Sequence, residues 1–222
     1  MGKLIVLEGT DGSGKSTQFA LLKQRLEREG KAFQTIVFPQ YDEPSSALIR
    51  MYLGGEFGPN PGDVNAYAAS TFYAVDRFAS YRKVWGEAYN NGGLILADRY
   101  TSSNAVHQAA KVLEPLRPDF FRWLYDLEFV RFGLPVPDLV LYLDMPTELT
   151  ETLMRKRESD THTHADIHEQ DLEYLRSCRK TGLHAAAYYG WSVISCARDG
   201  QIRSIEEIHE DLYKKVLSVI ER

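Results

Sequence analysis

Short apolar runs separated by stretches of helical periodicity set the pattern of this chain. Leu4 to Leu7, Phe33 to Phe38, Leu94 to Ala97, Leu139 to Leu143 and Trp191 to Ser195 read as buried strands. A strand covered on both faces by helices is continuously apolar and loses the alternation of a half-solvated one. From Lys15 to Arg28, Phe19, Leu22 and Leu26 recur on one helical face. Ser204 to Ile220 is also amphipathic, and Ser204 followed three residues later by Glu207 makes a capping box at its start. Strands alternating with helices predict an α/β fold, a five-stranded parallel sheet flanked by helices.

Two inserts interrupt the alternation. Residues 39–92 open with FPQYDEPSSALIRMYLGG, pass through the turn-rich Gly55 to Asp63, and continue as a long helix from about Val64 to Asn91. That insert is large enough to wall a pocket. The second, Met154 to Tyr189, begins MRKRESDTHTHADIHEQ, which is polar and without periodicity, so residues 154–170 read as a mobile lid before the segment turns helical. No internal repeat or low-complexity tract appears, and 222 residues favour a single domain spanning 1–222.

Composition narrows the class. With 44% apolar residues the chain can fill a sizeable core, and a net charge of −5 argues against general nucleic-acid binding. No apolar run approaches the roughly 18 residues that span a bilayer, and the N-terminus enters a strand directly, without a signal-peptide pattern. Cys178 and Cys196 are far apart and lack metal-ligand spacing, which suits a reducing cytoplasm.

Candidate chemistry begins directly behind the first strand. Gly9 to Thr17, GTDGSGKST, has the spacing of a P-loop, with a strand before it and a helix after it. In such a loop, glycines let backbone N–H groups turn inward around phosphate and the helix N-terminus adds partial positive charge. Gly12, Ser13, Gly14, Lys15, Ser16 and Thr17 are therefore triphosphate-binding candidates, Lys15 as the cation on the β/γ-phosphates and Ser16 as a hydroxyl ligand of Mg²⁺. The third strand ends in LILADRY, which puts Asp98 at the carboxyl edge as a second candidate for the Mg²⁺ shell and Arg99 beside it as a phosphate fork. An Asp–Arg pair closing the strand end is the structural alternative. Tyr73 and Arg77, four apart on a helix, share a face, so an aromatic ring and a guanidinium could meet one planar ligand, though core packing is the commoner use of such an aromatic.

GTDGSGKST, FPQY at the exit of the second strand, FYAVDR, DRYTSSNAVHQ, DIHEQDLEYL and the C-terminal WSVISCARDGQIRSIEEIHEDL occur in order, and together they resemble the thymidylate kinase family from end to end. The resemblance implies a P-loop nucleoside monophosphate kinase that transfers the γ-phosphoryl of ATP to dTMP with Mg²⁺, giving dTDP and ADP, and acts as a homodimer. By the same resemblance Asp11 holds the sugar 3′-hydroxyl of dTMP, Tyr73 stacks on the base while Arg77 reaches a base oxygen, and Ser103, Asn104 and Gln108 contact the base. Ala197 falls on the ATP side. Gly12 stands where some members carry a catalytic arginine, so the lid cations Arg155, Lys156 and Arg157 take that part, Arg155 over adenine and Arg157 on the transferring phosphoryl. A solvated charge run is the bland reading of that RKR.

Some positions depart from the family pattern. Tyr73 replaces a phenylalanine, and His107 stands where an aromatic is common. Tyr41 occupies a place where members often carry an arginine on the dTMP phosphate. Tyr41 itself, Arg50, Arg77 or Arg99 could serve that phosphate. The lid's His162, His164 and His168 lie near Asp160 and Asp166, residue types that bind metals, but a mobile loop is poorly preorganised for closed coordination; Asp166 and Glu169 suit arginine pairing on lid closure. Two rival activities remain open. A kinase for another nucleotide or a deoxynucleoside is one, with Asp42 or Glu43 as base for a neutral hydroxyl. The other is a GTPase or nucleotide-dependent binding module, against which the chain shows no NKxD segment.

Overall fold

The computed structural model describes residues 1–150 and 171–221. Strands β1 (Lys3–Gly9), β2 (Gln34–Val37), β3 (Leu94–Asp98), β4 (Leu139–Asp144) and β5 (Ser192–Ser195) form a parallel sheet in the order β2-β3-β1-β4-β5. Each expected apolar run is a strand, with ends within a residue or two of those expected. β1 is central, with Leu7 opposite Asp98 of β3 and Gly9 opposite Leu143 of β4. The chain leaves β1 toward β2 on one side and reaches β4 on the other, so the carboxyl end of β1 lies at a switch point, where open α/β sheets form a crevice.

Alternate residues of β1 build two different cores. Ile5 and Leu7 pack with Phe19, Leu22 and Leu26 of α1 (Lys15–Arg28), and with Ile208, Leu212 and Val216 of the C-terminal helix Ile205–Ile220. Leu4 and Val6 face the other way, toward Ile36, Trp85, Tyr89 and Tyr100. All four residues are at most 1% exposed, and burial of each such side chain contributes about 1.5–3 kcal/mol. Ser204 accepts from the Glu207 backbone N–H and Glu207 caps in return, so the expected capping box starts the final helix.

The insert follows β2 through a cis Phe38–Pro39 bond into α2 (Ala47–Leu53) and then α3 (Ala66–Ser80), whose Asn65 cap accepts from the Ala68 backbone N–H at 2.9 Å. The expected single long helix is broken in register: a π turn at Tyr81–Trp85 separates α3 from α4 (Gly86–Asn90). The wider turn accompanies the burial of Trp85 among Tyr81, Tyr89 and Tyr100. After β3 come the short α5 (Thr101–Ser103), π-helical Asn104–Gln108, α6 (Arg117–Tyr125) and a further π segment, Asp126–Arg131. Helix α7 (Leu172–Tyr189) precedes β5, and α8 (Ile205–Ile220) closes the chain. Between β5 and α8 lies a hairpin, β6 (Ala197–Arg198) with β7 (Gln201–Ile202), turned by Asp199 and Gly200 at φ 50° and 74°. Positive φ at both turn residues is what an Asp-Gly hairpin favours.

Candidate active site

Close packing shapes the loop after β1. A Cβ on Gly9 would stand 2.6 Å from Ser13 Oγ and 3.2 Å from Leu143 O, so only glycine fits there. Gly12 and Gly14 have φ of 75° and 83°, the left-handed region, and Gly14 leads into α1. Lys15 starts that helix nearly buried, its Nζ 3.3 Å from Asp98 Oδ1. Asp98 Oδ1 is itself buried and accepts no hydrogen bond among the described residues.

Arg99 follows in the left-handed region at φ 67°, a conformation costly for a side chain with a Cβ and commonest at functional sites. Its backbone N–H donates to Leu7 O, which holds the turn against β1. The guanidinium Nη2 donates to Asp11 Oδ1 at 2.6 Å, and Nη1 lies 3.2 Å from Glu8 Oε1 and 3.1 Å from His107 Nε2. Since arginine can only donate, His107 Nε2 is the acceptor there. Burial alone would lower the Arg99 pKa, but the negative charges of Asp11, Glu8 and Asp98 outweigh it and raise the value, so the cation is permanent.

Glu8 was not anticipated as a site residue, yet it anchors this cluster from within β1. Fully buried, it accepts from the Gly9 backbone N–H at 2.9 Å, from Ser102 Oγ and Ser103 Oγ at 2.7 Å each, and from Arg99. A carboxylate ending the run LIVL was the available signal, because a charge in a central strand requires a partner.

One cleft is lined by Asp11, Tyr41, Tyr73, Arg77, Arg99, Ser103, Asn104 and Gln108, with Phe38, Pro39, Leu53 and His107 completing it. Of the residues expected on the acceptor, Arg50 alone is absent from that lining. Its Nη1 donates instead to Tyr41 O, Glu43 O and Ser46 Oγ, which braces the loop carrying Tyr41. Asp76, buried within α3, fastens the same loop by accepting from the Gln40 backbone N–H and from Ser45 Oγ. Glu43 is paired with Lys83 at 2.7 Å. Arg77 forms a fork on Glu128, with Nε to Oε2 and Nη2 to Oε1 both at 2.6 Å, and its Nη1 reaches Tyr100 O at 3.3 Å. Glu128 was also not anticipated; it falls four residues after Leu124 on the buried side of its helix, a place where a carboxylate needs a buried cation. Gln108 Oε1 is buried without a hydrogen bond among the described residues.

The P-loop residues Gly12 to Thr17 lie at the carboxyl edge of β1, and Ala197, in β6 just past β5, lies beyond the carboxyl end of that strand. The lid residues Arg155, Lys156, Arg157, Asp160, His162, His164, Asp166, His168 and Glu169 lie outside the described residues. The arrangement as a whole joins the glycine-rich loop after β1 to the cleft through the Asp11–Arg99 contact. That geometry suits holding two phosphate-bearing molecules end to end.

A family model described as thymidylate kinase matches residues 7–212. A thymidylate kinase of Mycobacterium tuberculosis is 34% identical over 190 residues, covering 85% of this chain and 87% of its own. A protein named probable thymidylate kinase from Thermococcus gammatolerans is 32% identical over 216 residues, covering 96% and 94%. Another so named, from Pyrobaculum aerophilum, is 28% identical over 216 residues, covering 97% of each.

Proposed function

The chain belongs to the thymidylate kinase family, and from that membership we propose how its residues transfer the γ-phosphoryl group of ATP to dTMP, giving dTDP and ADP. The observation that carries the reading is the 2.6 Å contact of Arg99 Nη2 with Asp11 Oδ1, which makes the P-loop and the acceptor cleft one continuous site.

A phosphomonoester has a second pKa of about 6, so dTMP already presents an anionic oxygen at neutral pH and needs no general base. The barrier is the mutual repulsion of two polyanions and the charge on the group in flight, so positioning and fixed cations do the work. Backbone N–H groups of Gly12 to Thr17 hold the triphosphate, Lys15 neutralises its β/γ end, and Arg99 sits between donor and acceptor phosphates. Asp11 receives the acceptor's 3′-hydroxyl. Tyr73 lies against the base, Arg77, Ser103, Asn104 and Gln108 contact its edge, and Tyr41 borders its phosphate, with Arg50 bracing the Tyr41 loop. Arg155 is assigned to the adenine and Arg157 to the transferring phosphoryl, and Ala197 borders the donor.

A Mg²⁺ ion fits the oxygen donors of this region: the Asp98 carboxylate, whose buried Oδ1 accepts no hydrogen bond among the described residues, and the exposed Ser16 at the start of α1. When bound it supplies positive charge shared across the phosphates. We further propose a cytoplasmic enzyme, in keeping with two free buried thiols, Cys178 and Cys196. No helix of the described residues is long and apolar enough to cross a membrane.

The test is a coupled ATP-consumption assay with dTMP, dUMP, dCMP and thymidine. Turnover with dTMP far above the others is expected. Equal turnover with thymidine, or ATP loss without an acceptor, would replace the monophosphate kinase reading.

A further inference from the structure

We propose that Glu128 is a positioning residue for base specificity: it sets the hydrogen-bond polarity of the acceptor cleft, so that a 4-oxo pyrimidine is taken and a 4-amino pyrimidine refused. The proposal rests on reading that cleft as the nucleotide acceptor site.

Among the described residues, the hydrogen bonds of the Glu128 carboxylate come from Arg77 and Asn104. Its Oε2 accepts from Arg77 Nε at 2.6 Å, and its Oε1 accepts from Arg77 Nη2 at 2.6 Å and from Asn104 Nδ2 at 3.1 Å. All three residues are at most 1% exposed, so the arrangement is closed to water on that side. Asn104 Nδ2 has a second acceptor, Ser70 O, at 3.1 Å. Both of its amide protons are therefore used on groups that can only accept. The amide cannot be turned over without facing its oxygen toward a carboxylate and a carbonyl, and Oδ1 is the atom left for the cleft that Asn104 lines.

Arg77 is constrained in the same way. With Nε and Nη2 committed to Glu128, Nη1 is the edge of the fork that remains, near Tyr100 O at 3.3 Å, and arginine has nothing but donors to offer. The cleft thus presents one fixed acceptor, on Asn104, and one fixed donor, on Arg77, both held by one carboxylate. A thymine or uracil edge has an N3–H donor beside the O4 acceptor and matches both. A cytosine edge has an N3 acceptor beside an N4 amine, so both contacts are reversed. Buried polar sites left unpaired in this way discriminate by roughly 10⁴–10⁵-fold.

Replacing Glu128 by its amide isostere keeps the shape and removes the polarity. Glu128→Gln must turn an NH₂ group toward one of the donors. At the Oε1 place it confronts both Asn104 Nδ2 and Arg77 Nη2, so that edge of the fork is released and the Asn104 amide loses its carboxylate acceptor, with only Ser70 O left to hold its orientation. At the Oε2 place it confronts Arg77 Nε and releases the fork. Either outcome weakens the 4-oxo match more than the 4-amino one. Glu128→Asp keeps an acceptor-only group and should retain the base preference, with a raised KM from its shorter reach.

The experiment measures kcat/KM for dTMP, dUMP and dCMP in wild type, Glu128→Gln and Glu128→Asp. Wild type should prefer dTMP over dCMP by at least about 10³-fold, following the rejection expected of a buried polar site. Glu128→Gln should narrow that ratio at least about tenfold, mainly through KM, and Glu128→Asp should restore it. Equal losses on dTMP and dCMP in Glu128→Gln would mean a merely structural residue and overturn the proposal. A wild type that accepts dCMP as readily as dTMP overturns it too while leaving the kinase reading intact; one that phosphorylates neither overturns the reading beneath it. Because Glu128→Gln leaves the buried Arg77 without its carboxylate and could fail to fold, a measurement on wild type stands beside it. In NMR spectra of the dTMP complex with labelled base and protein, a scalar coupling across the hydrogen bond should join thymine N3 to Asn104 Cγ, the signature of Oδ1 as acceptor; its absence in a folded, dTMP-bound protein would overturn the assignment.

Discussion

Lys15 Nζ and Asp98 Oδ1 stand 3.3 Å apart, across the gap between the first turn of α1 and the end of β3. The pair joins the two segments that carry the P-loop cation and the candidate metal ligand, and both side chains are at most 15% exposed. Asp98→Asn keeps the volume but removes the charge that holds Lys15 in place and that a divalent cation would meet. The expected result is a fall in kcat on the order of 10²–10³-fold, with the Mg²⁺ dependence displaced to higher concentration. Steady-state kinetics over a Mg²⁺ titration, with circular dichroism to verify folding, checks it. A kcat within twofold of wild type would reduce the pair to a structural clasp.

Arg99 and Glu8 make a second prediction, because a buried carboxylate depends on its cation. Arg99→Ala leaves Glu8, fully buried, with hydroxyl and amide donors but no opposing positive charge. Breaking one side of a buried pair costs about 3–5 kcal/mol, which in a chain of this length lowers Tm by very roughly 6–20 °C. Adding Glu8→Gln to Arg99→Ala should regain most of that Tm while leaving transfer abolished, since the hydroxyls of Ser102 and Ser103 still find an acceptor. Calorimetry beside the coupled assay separates the two effects. A double variant as unstable as Arg99→Ala alone would show that charge pairing is not what Arg99 contributes to stability.

What was legible in the sequence depended on whether a residue's meaning is local. Asp98 and Arg99 could be placed at the sheet edge because an apolar run dictates where a strand ends, and Tyr73 and Arg77 share the cleft because a four-residue spacing fixes one helical face. The sheet itself followed from the apolar runs and intervening helices. Glu8 and Glu128 were not legible as site residues, because each takes its meaning from a partner far along the chain: Arg99 is 91 residues from Glu8, and Arg77 is 51 from Glu128. Arg50 illustrates the same limit. An arginine after the second strand reads as a spare cation until the backbone oxygens of Tyr41 and Glu43 are seen to fold back against it. The π turn at Tyr81–Trp85 left no periodic mark, since the apolar spacing of one helix and of two with a wide turn between them differ by a single residue.

Lys111 supplies a prediction about pH. Its Nζ donates to Tyr52 Oη at 2.7 Å and to Val64 O at 3.0 Å, tying the chain just before α3 to α2, and burial pulls its pKa down to about 8. The unfolded chain holds the same proton up to the ordinary lysine value of 10.5. Below about pH 8 both states are charged and the burial penalty is constant. Between about 8 and 10.5 the unfolded state binds the proton that the folded state has released, so raising the pH favours the folded form. Relative to Lys111→Met, wild type should therefore gain stability as the pH rises from about 8 to about 10 and show no change in the difference from about 6 to 7. Urea unfolding of both proteins at each pH measures the difference and cancels the other titrating groups. Parallel curves across the alkaline range would assign the Lys111 contacts no protonation dependence.

The outer face of α3 bears on assembly. Val75 and Phe78, three apart on one side of that helix, are 50% and 40% exposed, and Phe78 rests edge-on against Phe132 at 5.5 Å between ring centres. We propose this pair as part of the self-complementary surface of a twofold dimer, the assembly that the resemblance to the family implies. Arg77, roughly 200° round the same helix from Val75, is buried and lines the acceptor cleft, so a second copy seated on Val75 and Phe78 would stiffen the wall of that cleft without entering it. Val75→Asp should then convert a dimer into a monomer in sedimentation or light scattering, because two carboxylates would face each other across the twofold axis. The monomer should retain the P-loop chemistry but bind dTMP more weakly, with the loss in KM exceeding the loss in kcat. A variant that stays dimeric would move the interface off α3, and a wild type that sediments as a monomer at micromolar concentration would remove the homodimer altogether.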